Sequence, residues 1–95
     1  MMHLEDDVLF LTGELDLNNL MAFRHEIEDQ VVASSNVTVD LADLTVHGSA
    51  ILSLLVFLKR RAVTANGSVQ ITGCSDVVRQ MARVAELEEL LGLTA

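Results

Sequence analysis

Apolar and polar positions change their period several times along this chain, and each change marks an element. Val8–Thr12 is a short apolar run ending at Gly13, the pattern of a strand buried on both faces. Asp6-Asp7 ahead of it turns the chain back from a short edge strand over Met2–Glu5. Leu20, Phe23, Ile27 and Val31 then recur at spacings of three and four, which places them on one helix face, with Arg24, Glu26, Glu28 and Asp29 elsewhere. Asp16 or Asn18 caps that helix, and Ser34-Ser35-Asn36 ends it.

Val37, Val39 and Leu41 alternate with Thr38 and Asp40, the period of a strand, and Leu44 and Val46 carry the apolar signal into a loop. From Ser49 the pattern is helical again, with Ile51, Leu54, Leu55 and Leu58 on a shared face. Leu52, Val56 and Phe57 lie off that strict stripe. They either complete a wide core face, the preferred reading, or present a docking surface. Lys59-Arg60-Arg61 closes the helix, where cations complement its dipole, and Asn66-Gly67 stops it. Val69 and Ile71 mark a further strand, left through Gly73. Ser75 is a strong N-cap with Asp76 in the first turn, followed by Val78, Met81, Ala82 and Ala85 on one face. Leu87, Leu90 and Leu91 extend a last short element. The order β-β-α-β-α-β-α predicts an α/β fold: a small, mixed, mostly parallel sheet of about four strands covered by about three to four helices.

Ninety-five residues with no proline and no visible linker read as a single domain over 1–95. At 51% hydrophobic and 21% charged, the composition is that of a folded protein. Its three aromatic residues (Phe10, Phe23 and Phe57) leave the core to aliphatic side chains. Six basic against fourteen acidic residues give a net charge of −8. Such a chain is repelled by phosphate backbones and anionic headgroups, which excludes a nucleic-acid partner. The lone Cys74 forms no internal disulfide, and the acidic start does not resemble a secretory leader. The longest apolar-rich run, Ala50–Leu58, is far short of a membrane span, so the expectation is a cytoplasmic protein without direct membrane insertion.

Candidate chemistry is sparse. His47-Gly48-Ser49-Ala50 puts a serine at a strand-to-helix turn near a histidine, the one basis for a remote alternative, a small serine hydrolase. It lacks the G-x-S-x-G elbow, and Ser49 reads better as a cap or first-turn residue. His3, His25 and His47 fall on separate elements, and Cys74 belongs to no C-x-x-C pair, so no metal site is expected. Cys74 reads as a small buried hydrophobe. Glycine-rich phosphate loops are missing, and no cofactor is expected. Asp16, Asp40 and Asp43 flank strand ends, where capping or loop solvation accounts for them. The chain is read as not an enzyme.

Three segments in register carry a resemblance. Leu11-Thr12-Gly13-Glu14-Leu15-Asp16 resembles the G-E-L-D turn of STAS domains, the fold of bacterial anti-sigma-factor antagonists. Val37–Leu44 followed by Val46–Ile51 is similar to that family's strand ending in Asp-Leu, short loop and Asp-Ser-Ser/Thr-Gly-Leu helix start. Val69–Ser75 is similar to its next strand, glycine and N-cap. The resemblance covers essentially the whole chain.

It implies a noncatalytic regulatory protein, anti-sigma-factor antagonist-like (an anti-anti-sigma factor), acting by protein–protein interaction. The implied partner is an anti-sigma factor or serine kinase that phosphorylates a residue at the second helix start, changing charge at the docking surface. In this register the usual acceptor falls on Gly48 and the preceding Asp on His47. Either the acceptor moves to Ser49, roughly a quarter turn further round, or the protein has no phosphorylation switch. The implied docking surface comprises Gly13, Glu14 and Asp16, then Asp43, Thr45, His47 and Gly48, then Ser49. The alternative within the same family is the STAS subunit of an Mla-type phospholipid transporter, which binds the transporter ATPase without phosphorylation.

Overall fold

A computed structural model describes residues 2–30 and 36–93. Its strands are β1 (Met2–Glu5), β2 (Val8–Leu11), β3 (Gly13–Leu15), β4 (Asn36–Asp40), β5 (Leu44–Val46) and β6 (Ser68–Thr72). Its helices are α1 (Leu20–Gln30), α2 (Ala50–Thr64) and α3 (Asp76–Val84). The main sheet has four strands in the order β1-β2-β4-β6, with β1 antiparallel to β2 and the other pairs parallel. The mixed, mostly parallel α/β sheet is therefore as predicted.

β1 and β2 meet through Asp6 and Asp7, both at positive φ, the backbone that a two-residue hairpin needs to match strand twist. β2 is not covered equally on its two faces, contrary to the reading of Val8–Thr12. Leu9 and Leu11 are fully buried, whereas Val8 and Phe10 are half-buried. On the outer face the His3 ring of β1 stacks on Phe10.

The inner face packs against α1 through Phe23 and Ile27, and against α2 through Ile51, Leu54, Leu55 and Leu58. Val78 and Ala82 of α3 join the same cluster. Leu52, Val56 and Phe57 pack partly against it, so the wide core face is real but incompletely covered. Val31, Ser34 and Ser35 lie outside the described residues, and Asn36 opens β4.

The caps follow side-chain chemistry. Asp16 accepts from the backbone N–H groups of Asn18 and Asn19, at 2.8 and 3.0 Å, while Asn19 Oδ1 accepts from Asp16 N–H at 2.9 Å. Ser75 accepts from Val78 N–H and caps α3 as expected. Lys59 donates to the Val69 carbonyl at 3.0 Å, which ties α2 to β6.

Three expectations shift. Leu44 and Val46 form β5 rather than a loop, pairing in parallel with β3 as a second, two-stranded sheet. Leu87–Leu91 makes turns rather than a fourth helix, yet Leu91 and Leu93 are buried and close the core. Ala85 is exposed because α3 ends one residue before it.

Candidate protein-docking surface

The short β3–β5 sheet brings together most of the residues that the sequence singled out. Gly13 pairs with Leu44, Glu14 with Thr45, and Leu15 with Val46. His47 N–H continues the ladder, donating to the Leu15 carbonyl at 2.9 Å. Side chains alternate across a strand. Leu15 is therefore buried while Glu14 and Thr45 face outward.

His47 is the next outward group, and its Nε2 lies 2.7 Å from Glu14 Oε1, both side chains being more than half exposed. Asn19 Nδ2 donates to the Glu14 carbonyl, so the start of α1 is fastened to the same edge. Asp16 sits in that turn, where its Oδ1 accepts from the backbone N–H groups of Asn18 and Asn19.

Ser49 stands immediately before α2 and is exposed. Its carbonyl accepts from Leu52 N–H, but its hydroxyl makes no capping hydrogen bond. Ser49 is at the N-cap position, as expected, but caps without its side chain: at φ −100° and ψ 8° the backbone is not in the extended conformation that aims a cap hydroxyl at the first turn. The oxygen is left available.

Among the described residues no hydrogen bond joins Ser49 to His47, so the histidine is engaged by Glu14 and is not set behind the serine as a base. Gly48 has φ +70°, and a Cβ there would meet nothing within 4 Å. The position disfavours larger residues through backbone strain and leaves space for them. Asp43 is exposed in the turn before β5, whereas Asp40 Oδ1 is occupied by Ala42 N–H at 3.1 Å.

Elsewhere, burial pushes the half-buried Cys74 thiol up from its ordinary pKa, with Arg79 opposing and Asp76 reinforcing the shift. A raised thiol pKa is the reverse of what a nucleophile needs. Among the described residues no group of three or more His, Cys, Asp or Glu could hold a metal ion, and no helix is long and apolar enough to cross a membrane.

The arrangement is therefore an exposed polar edge with a fixed backbone. A family model described as "Mlab, STAS domain" matches residues 2–92. The chain belongs to the STAS family. It is also 25% identical to a STAS-domain containing protein of Pseudomonas aeruginosa (strain UCBPP-PA14) over 84 residues, 88% of this chain and 83% of the relative.

In this STAS domain the G-E-L-D segment is β3 with its following turn, and the loop and helix start at Val46–Ile51 run from β5 into α2. The Glu14–His47 contact was not read from the sequence. The one signal that could have found it is the pairing of Gly13-Glu14-Leu15 with Leu44-Thr45-Val46, two runs too short to show a period.

Proposed function

We propose that this STAS domain is a noncatalytic regulatory protein of the cytoplasm, most like an anti-sigma-factor antagonist. It works by binding a switch kinase or anti-sigma partner. The binding surface is the outward edge of β3 and β5 with the start of α2: Gly13, Glu14, Asp16, Asp43, Thr45, His47, Gly48 and Ser49. The observation that carries this reading is the Glu14–His47 contact beside an exposed Ser49 whose hydroxyl the fold does not use.

A serine so placed is open to a kinase. Phosphate would add about −1.5 to −2 charge to an edge that already carries Glu14, Asp16 and Asp43, deepening its negative charge without touching the core. Co-purification from the native host tests the reading. A serine kinase or anti-sigma protein recovered with the wild-type chain, and lost with Ser49→Asp, supports it. Recovery of a transporter ATPase overturns it.

That second outcome has its own support in Gly48. The left-handed backbone at the family's usual acceptor position suits glycine, and the family description names Mlab. On that reading the same edge binds the ATPase of a phospholipid transporter, and Ser49 contributes contact rather than a switch.

A further inference from the structure

The helical side of the molecule carries a groove separate from the β3–β5 edge. It lies along α1 and α2, measures about 770 Å³, and is lined on its apolar side by Leu52, Val56, Phe57 and Leu87. Its polar side is basic. The Arg24 guanidinium lies over the Phe57 ring, 4.4 Å from the centroid, and Arg60 and Arg61 line the same groove.

Three of the chain's six basic residues thus meet in one place on a molecule of net charge −8, with Glu28 the one acidic lining residue. Arg24 Nε is buried and has no hydrogen-bond partner among the described residues. Its face lies on Phe57 and its Nη1 donates to Met21 Sδ at 3.8 Å, so the unpartnered group is Nε.

Shape narrows the ligand. The α2 lining runs from Leu52 to Ala65, which at 1.5 Å per residue spans about 20 Å along the chain. That matches the length of about three to four helical turns, so a helical segment can lie along it. Charge narrows it further. An anionic bilayer would meet the acidic remainder of the chain, whereas a narrow acidic segment meets only the groove.

We propose that the α1–α2 groove binds an acidic amphipathic helix of a protein partner. Apolar residues on one face of that helix seat on Leu52, Val56 and Phe57, and carboxylates flanking them pair with Arg24 and Arg60. The net negative charge of the chain disfavours the same helix at less basic surfaces. The inference is independent of any role for Ser49.

The test is an NMR titration of the full chain with a synthetic peptide of about fourteen residues, Glu and Leu arranged at helical spacing. The expected result is saturable shifts along Leu52–Ala65 and around Arg24, with Kd below about 1 mM and weakening as salt is added. Arg60→Glu, an exposed position, is expected to raise Kd at least about tenfold with an unchanged melting temperature, and Arg24→Gln to raise it less. A peptide with Lys in place of Glu is expected not to bind. Absence of saturation, equal binding of the Lys peptide, shifts confined to other surfaces, or indifference to Arg60→Glu overturns the proposal. So does Arg60-dependent binding to phosphatidylglycerol vesicles without peptide binding, which would assign the groove to lipid.

Discussion

Glu14 and His47 stand 33 residues apart in the chain and share a hydrogen bond across the exposed edge of β3 and β5. Both side chains are solvated, so the contact adds little to stability. A double-mutant cycle with Glu14→Gln and His47→Ala is expected to return a coupling energy below about 1 kcal/mol by chemical denaturation. The same variants are expected to weaken partner binding, because they change the charge and shape of the edge. A coupling of several kcal/mol would make the pair structural instead.

Ser49 gives the same pairing of effects. Since its hydroxyl caps nothing, Ser49→Ala is expected to change stability by less than about 0.5 kcal/mol. Ser49→Asp is expected to melt normally and bind the partner less well. Intact mass after incubation with the cognate kinase and ATP, with peptide mapping, decides whether Ser49 is the acceptor; a phosphate on any other residue removes it from that role. Moving a serine to the family's position, Gly48→Ser, is expected to cost about 1–2 kcal/mol from the left-handed backbone, with no steric clash.

Gly73 is held far more tightly than Gly48. It also has positive φ, but a Cβ there would collide with Asp40 Oδ1 and lie 2.6 Å from the Ala42 backbone nitrogen. These are the two groups joined by the Asp40 turn at the end of β4. Gly73→Ala is therefore expected to lose about 3 kcal/mol or more. Gly92→Ala, with open space around its Cβ, is expected to lose only the backbone cost of about 1–2 kcal/mol. Paired urea melts check the difference.

Cys74 sets a pH dependence. Burial raises the folded thiol's pKa above its unfolded value, so the folded state holds the proton more firmly. The stability this contributes is complete below the unfolded pKa and is lost as pH rises through the folded one. Wild-type protein is expected to lose more stability than Cys74→Ala between neutral pH and about pH 10, where an ordinary thiol is ionised. The same burial predicts slow alkylation at neutral pH.

Core truncation provides a scale for these effects. Phe23 is fully buried at the centre of the α1 contact, and Phe23→Ala is expected to cost about 3–5 kcal/mol by denaturant melts.

The elements legible in the sequence were those with enough residues to show a period. Ile51, Leu54, Leu55 and Leu58 span two turns of α2, and all four are buried as their spacing requires. β4 and β6, at five residues each, alternate visibly. β3 and β5 have three residues apiece, so Leu44 and Val46 looked like loop, and their pairing depends on a contact made across the whole of α1. The candidate site was half legible for the same reason. Asp16 and Ser75 declare themselves as caps because capping is local, whereas nothing local ties Glu14 to His47. Arg24 over Phe57 was equally hidden, because each residue has an ordinary place on its own helix.

The β3–β5 ladder also bears on how fast and how long a partner stays bound. Its backbone hydrogen bonds fix the positions of Glu14, Thr45 and His47 before any encounter. On the proposed reading, binding there would order few additional torsions and need no slow rearrangement. Association at this edge would then be governed by diffusion and by charge at long range, and substitutions among these side chains are expected to act mainly on the lifetime of the complex, through its dissociation rate.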